Sequence, residues 1–312
     1  MPATPVTWTL TEGHAGMRAQ TEGLAEAMGL AATAKDLRAR LPWDWLPGRL
    51  WPAPLACVTP RLVPPWPDIA ISSGNVAAPV AAALREKGAR AVHVQNPKLD
   101  LRRFDVVVAN RHDGIAGPNV IVTRTTIHRA TPARLEAARA AWADRFAHLP
   151  RPLVAVLVGG SNGRFTLDAA VGAALAGRLA AMMQADRCGL YVTPSRRTDP
   201  AVTALLAERL RPLGAEVWDF TGENPYFGLI ASADAIVATM DSVSMVSEAC
   251  ATTAPVLIAA LPGRSRRIGQ FLAGLAADGR TRPFAGRLES WPVTPIDDTP
   301  AAAAEVRRRL GL

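Results

Sequence analysis

The most pointed chemistry in this chain of 312 residues lies between Asp234 and Glu248. Residues 234–240 (DAIVATM) form an apolar run of strand length, and residues 242–250 (SVSMVSEAC) read as the helix that follows. Asp241, Ser244, Met245 and Glu248 recur at i, i+3, i+4 and i+7, which places them on one helical face. A helix opening on Ser242-Val243-Ser244 presents unpaired backbone N–H groups and a positive dipole end to whatever lies before it. Glu248 sits one to two turns further in, beyond the reach of that anion site. Hydroxyls at the mouth and a carboxylate behind them suit a ligand with phosphate at one end and a ribose diol at the other. That is the outline of a sugar nucleotide.

Two further loops of the C-terminal half could share that ligand. Gly159-Gly160-Ser161-Asn162-Gly163 follows a buried apolar run and precedes a helix, so its amides can approach a phosphate, with Gly160, Ser161 and Asn162 as contacts. It is neither a Walker A loop nor a GxGxxG fingerprint, and an ordinary strand-to-helix turn is the plainer alternative. Thr193-Pro194-Ser195-Arg196-Arg197 ends the next strand, where Ser195 and Arg196 could neutralise a diphosphate; a solvated arginine is the plainer alternative. In parallel sheets these carboxyl-end loops line one crevice, so convergence is the expectation. Phe220, at the end of AEVWDF, is placed to cover a nucleobase, or else to pack.

The N-terminal half offers a possible base and an acceptor site. Glu12-Gly13-His14-Ala15-Gly16 follows the first strand, and His14 is a candidate general base because its residue type suits proton transfer and its small neighbours leave the ring accessible. Its competing role is a capping or surface histidine. Gly13, Gly16, Ser73, Gly74 and Asn75 are the candidate acceptor contacts, joined by His112 after FDVVVAN. His93, His128 and His148 belong to no motif.

The elements that must hold these residues alternate strand-like and helix-like from end to end, the pattern of parallel α/β sheets. VTWTL (6–10), DIAISS (68–73), AVHVQ (91–95), FDVVVA (104–109) and NVIVTR (119–124) are strands of the first half. Thr131-Pro132 opens a long helix as N-cap and N1. Leu149-Pro150-Arg151-Pro152 reads as a linker between a domain of residues 1–150 and one of residues 151–312, where LVAVLVGG (153–160), GLYVTP (189–194), AEVWDF (215–220) and PVLIAAL (255–261) continue the cycle. A final helix over 299–310 can stay with the second domain or cross back to the first. Leu41–Asp68 breaks the rhythm with eight prolines and four of the eight tryptophans. It is too rich in proline for a helix and too apolar for a plain linker. Either these tryptophans cover a small core, or Trp43, Trp45 and Trp51 rest in a membrane headgroup layer beside Arg49 and Arg61.

Composition narrows the classes. Hydrophobic residues make up 49% and charged residues 20%, the balance of a folded globular chain. No apolar run reaches the roughly 18 residues of a membrane span, and Met1–Thr11 lacks the layout of a secretory signal, which points to the cytoplasm, with room for contact at the inner face of its membrane. Three scattered cysteines, without CxxC spacing, argue against disulfides and structural zinc. The net charge is +8, but three of the 35 basic residues are lysine and the arginines are dispersed without aromatic interleaving. Anionic small ligands or an anionic membrane fit this better than nucleic acid.

The blocks SSGNVAAPVAAALR (72–85), VQNPKLDLRRFDVVVANRHDGIAGPNVIVTR (94–124), GGSNGRF (159–165), TPSRRTDP (193–200), GENPYFGLIASAD (222–234) and DSVSMVSEA (241–249) resemble the mitochondrial-fission "elongated mitochondria" family, whose bacterial members are often labelled nucleoside-diphosphate-sugar epimerases. The resemblance runs from about Trp8 to Leu275, and the DSxSMxSEA block is specific. More distantly the arrangement is similar to GT-B glycosyltransferases such as the peptidoglycan N-acetylglucosaminyl transferase and lipid A disaccharide synthase. That resemblance implies a nucleotide sugar on the second domain with Glu248 on the ribose, and an acceptor on the first with Gly13, His14 and Gly16 in its loop. The chain lacks the fuller glycine loops of the peptidoglycan enzyme.

The expectation is therefore an α/β chain of two Rossmann-like domains facing across a cleft, in GT-B style. It would be an inverting glycosyltransferase, needing no metal and no cofactor beyond its nucleotide-sugar substrate, and acting on an envelope glycolipid or lipid-linked acceptor. A non-hydrolysing nucleotide-sugar epimerase and a non-enzymatic scaffold that recruits partners at a membrane are the rival readings.

Overall fold

The computed structural model describes residues 4–312. The chain forms two compact units, Met1–Arg129 with Asp297–Leu312, and Ala130–Ile296.

The first unit carries a six-stranded parallel sheet of β1 (Thr7–Thr11), β2 (Ala32–Asp36), β5 (Ile69–Ser73), β6 (Arg90–Val94), β7 (Val106–Asn110) and β8 (Val120–Thr123), in the order β2-β1-β5-β6-β7-β8. β3 (Arg38–Ala39) and β4 (Val58–Thr59) pair antiparallel beside it. The central strands β1, β5 and β7 are buried at every position, as strands covered on both faces must be. Helices α1 (Ala15–Ala27) and α2 (Ala77–Arg85) follow β1 and β5, and eight of the nine residues of α2 are buried.

The second unit opens with α3 (Pro132–Phe146), capped by the Thr131 hydroxyl, which accepts from Arg134 N. Its six parallel strands are β9 (Leu153–Val158), β10 (Gly189–Pro194), β11 (Glu216–Val217), β12 (Ala235–Thr239), β13 (Val256–Ala259) and β14 (Thr281–Pro283), in the order β11-β10-β9-β12-β13-β14. Relative to chain order that is 3-2-1-4-5-6, the arrangement of a dinucleotide-binding sheet. The helices are α4 (Ala169–Asp186), α5 (Pro200–Leu210), α6 (Tyr226–Ser232), α7 (Val243–Cys250) and α8 (Arg266–Ala277). The chain then returns to the first unit with α9 (Thr299–Leu310), whose Ala302, Ala303, Val306 and Leu310 join Leu24, Met28, Ile69 and Ile127 in one core.

Three differences from the sequence reading have clear causes. The division falls before α3, not at 149–152: Leu135 and Phe146 of α3 lie in the second unit's core, Arg139 donates to the Ala231 carbonyl, and Leu149 is buried there too. AEVWDF keeps only two strand residues because Asp219 accepts from the amide and hydroxyl of Thr221, turning the chain at once. Finally, β2 and β14 are edge strands, where small and polar residues suffice and no apolar run announces them.

Candidate functional site

The second sheet reverses its winding between β9 and β12, so the loops leaving these two strands flank the crevice where such sheets take ligands. Asp241 ties these loops together. Its side chain is fully buried, Oδ1 accepts from the Thr239 hydroxyl at 2.7 Å, and Oδ2 accepts from Gly160 N at 3.1 Å and from Arg197 Nη2 at 2.8 Å. Thr239 in turn accepts from Gly159 N at 2.8 Å. Both glycines are needed for this closeness. A Cβ on Gly159 would stand 2.2 Å from the Asp241 carboxylate oxygens, and one on Gly160 would stand 2.0 Å from the Arg197 carbonyl oxygen. The three loop tips of this unit, 159–163, 195–198 and 239–242, therefore converge on a common point.

Their polar side chains mostly shape the loops. Ser161 Oγ accepts from Leu167 N, Asn162 Oδ1 from Arg164 N and Phe165 N, and Ser195 Oγ from Arg197 N. Thr198 Oγ1 accepts from Ser195 N and donates to the Val158 carbonyl, stitching the β10 loop to β9. Asp241 needs correcting as a ligand contact: it precedes the Ser242 N-cap, and its oxygens face the neighbouring loops. Of the two arginines, Arg196 is exposed and Arg197 is the one drawn into the cluster.

Helix α7 starts at this junction. Ser242 Oγ accepts from Met245 N, and the first-turn N–H groups of Val243 and Ser244 precede the helical ladder. Ser244 and Met245 are half-buried, and Glu248, in the last turn, keeps 7% exposure. Burial pushes its carboxyl up to about 7, against the lowering effect of the Tyr226 hydroxyl that donates to Oε2 at 2.5 Å. The Tyr226 phenol is pushed up in turn by burial and by that carboxylate. Behind the helix, Arg280 is 1% exposed and donates to the carbonyls of Ala249, Cys250, Thr252 and Ala254 at 2.8–3.1 Å. A buried guanidinium thus closes the C-terminal end of α7, where orphan carbonyls and a negative dipole end call for a cation. Nothing in the sequence around Arg280 announces this role, since its four acceptors lie 26 to 31 residues away.

Phe220 is exposed in the loop after β11, with φ +69°, a conformation that a bulky side chain rarely adopts. It tilts against Trp218 at 4.8 Å between ring centroids. An exposed Phe220 backed by a half-buried Trp218 at a strand's carboxyl end is suited to a flat ring.

The first unit has its own reversal point, between β1 and β5. His14 is exposed as the N-cap of α1, Gly16 lies in that helix's first turn, and Gly13 (φ +81°) donates to Thr11 Oγ1. Glu12, which the sequence places in the loop without assigning it a role, crosses to the β5 loop, where its Oε1 accepts from Val76 N at 2.7 Å. Gly74 (φ +108°) makes room for it, since a Cβ there would lie 2.5 Å from that oxygen. Asn75 is exposed, while Ser73 is fully buried, with its hydroxyl lacking a hydrogen-bond partner among the described residues. His112 is not brought to this point. It is buried in the turn after β7, two strands removed from β5. The histidines without a motif have structural partners: His93 meets Ser72 Oγ at 2.8 Å and is driven down to about 3 by burial, His148 meets Glu216 at 2.7 Å, and His128 stands 3.6 Å from Asp297.

The fold matches a UDP-GlcNAc 2-epimerase from Methanocaldococcus jannaschii, solved with UDP-GlcNAc and UDP (TM-score 0.61, 11% identity, 98% of this chain and 99% of that one). It also matches Acinetobacter baumannii MurG (TM-score 0.51, 16% identity, 98% and 90%). At such identities these likenesses establish the fold, which is of the GT-B class. Sequence reaches further. The mitochondrial fission protein ELM1 of Arabidopsis thaliana is 31% identical over 276 residues, covering 78% of this chain, while the chain spans 64% of that relative's length. The profile described as "Mitochondrial fission ELM1" matches residues 15–310, from the first turn of α1 to the end of α9, so the chain belongs to that family.

Proposed function

We propose that the second unit binds a nucleotide sugar and that the protein transfers the sugar to a hydroxyl acceptor with inversion. The observation that carries this reading is the convergence on Asp241: three loop tips and the start of α7 gathered at the sheet's reversal point, with Glu248 further along the same helix. In this reading the N–H groups of Val243 and Ser244, with Gly160, Ser161, Asn162, Ser195 and Arg196, hold the diphosphate; Glu248 accepts from the ribose hydroxyls; Phe220 covers the base. The acceptor oxygen forms the new bond to the anomeric carbon as the bond to the diphosphate breaks. The acceptor proton passes to His14, and the leaving charge stays on the amide-lined diphosphate site. Gly13, Gly16, Gly74 and Asn75 border the acceptor, a glycolipid or lipid-linked sugar met at a membrane near Trp43, Trp45 and Trp51.

A non-hydrolysing epimerase would use the same donor site but needs several carboxylates at the sugar. Asp241 is committed to bracing the loops, which favours transfer. Isothermal titration with UDP, GDP, CMP and dTDP sugars tests the donor site. Binding of one class, weakened at least about tenfold by Glu248→Gln, is the expected result, and no binding by any of them sinks the reading. Proton exchange at the sugar's C2 without acceptor would transfer the case to the epimerase. With a donor and acceptor in hand, His14→Ala should retain donor binding and lower turnover by about 10²-fold.

A further inference from the structure

The stretch from β3 to just beyond β4, residues 38–63, is the most apolar exposed part of the first unit. Leu41, Trp45, Leu46, Leu50 and Val63 supply half of the ten large hydrophobic side chains left exposed among the described residues, Trp45 at 78% and Leu41 at 70%. Soluble chains seldom gather such residues in one place without something to cover them. The surrounding charge is predominantly positive: Arg38, Arg40, Arg49 and Arg61 are all exposed, against the single exposed carboxylate of Asp44 between positions 38 and 63.

The segment is held firmly. The β3–β4 pairing and the Arg40 N–H bond to the Cys57 carbonyl join its ends. The Trp51 indole N–H donates to both the Trp43 and Leu46 carbonyls, and Gly48 lies so close to Pro79 that a Cβ there would meet it at 2.8 Å. This scaffold frames a cavity of about 300 Å³ lined by Trp43, Leu46, Trp51 and Leu99, with the cations of Arg49 and Lys98 and the carboxylate of Asp44 also on its lining. That volume is at the lower end of small-ligand sites, about 300–1,000 Å³. An apolar hollow with cations at its border and aromatic rings around it matches an aliphatic chain ending in a phosphate.

We propose that this face docks on an anionic phospholipid bilayer, with an acyl chain entering the cavity and lipid phosphates meeting Arg49 and Lys98. The proposal deepens the transfer reading by naming the surface that presents the acceptor. It rests on that reading for the transfer step alone, because docking is measured without donor or acceptor.

The test floats the intact chain with phosphatidylcholine vesicles, with and without phosphatidylglycerol, and repeats it with lipids brominated along the acyl chain. The anionic vesicles are expected to carry at least about tenfold more protein, with tryptophan emission quenched by the bromines. Two double variants of exposed residues, Trp45→Ser with Leu50→Ser and Arg49→Glu with Lys98→Glu, should lose that binding while keeping the parent's circular dichroism. Flotation unchanged in both variants would overturn the proposal. So would flotation without quenching, binding of soluble dodecyl phosphate with vesicles ignored, or a dimer that Trp45→Ser with Leu50→Ser dissolves while vesicles remain unbound.

Discussion

The Tyr226 hydroxyl stands 2.5 Å from Glu248 Oε2 and donates to it, linking the first residue of α6 to the last turn of α7. Burial drives this carboxyl from 4.5 up to about 7, and the phenol restrains the rise. Because the folded value lies above the unfolded one, the protonated form is the one that folding favours. That contribution is complete below about 4.5 and is lost as the pH climbs through about 7. Glu248→Gln, which never ionises, should therefore match the parent in urea at low pH and exceed it above neutrality by about 3 kcal/mol. If Glu248 holds the ribose as proposed, the ribose hydroxyls would donate to the ionised form, and the parent's nucleotide affinity should rise with pH through about 7. Tyr226→Phe should move that midpoint upward, and a midpoint left in place would show that the hydroxyl does not govern the carboxyl.

Asp241 is a brace, and its loss should be felt in the loops before it is felt in the sheet. Asp241→Asn weakens the Arg197 contact and one of the two oxygens that organise Gly160 and Thr239. Since Arg197 is 43% exposed, the stability cost is about 2 kcal/mol, below that of a fully buried pair. Amide exchange should quicken at Gly159, Gly160 and Arg197 while the β9 amides keep their protection. Equal acceleration across β9 would mean that the residue supports the whole sheet instead.

Arg280→Met removes the donor from four carbonyls at the end of α7 and leaves them in a buried place. The expected loss is about 2–4 kcal/mol in urea, with faster exchange through α7. Arg280→Lys keeps the charge but cannot span the four acceptors, so it should recover less than half of the difference. Full rescue by lysine would show that the helix end needs only a positive charge.

At Phe220 conformation and contact can be separated. Phe220→Gly relieves a left-handed backbone and should cost nothing or add up to about 1 kcal/mol, whereas a base stacked on the ring would be lost, weakening nucleotide binding about tenfold. Unchanged affinity would remove Phe220 from the site.

What the sequence disclosed follows from where each signal resides. Strands β9, β10 and β12 are buried at every position, so each reads as an unbroken apolar run, and the loops at their ends could be located by counting. The helix cap at Thr131 is equally local, accepting from an amide three residues away. The direction of Asp241 was not legible, because helical spacing aligns it with Glu248 although it lies before the N-cap, where that spacing no longer applies. Glu12 and Arg280 reach partners 64 and about 30 residues away, and β2 and β14 depend on a neighbouring strand rather than on their own composition. Such relationships appear only once the chain is folded.

The return of α9 bears on how the chain is made. Unit two is one continuous stretch, Ala130–Ile296, and holds everything its core requires before the last helix is translated. Unit one does not: until Thr299–Leu310 clears the ribosome, the groove that will receive Ala302, Val306 and Leu310 lies open beside Leu24 and Met28. The later-synthesised lobe can therefore mature first, while the earlier one waits, with sticky surface showing, for its closing piece.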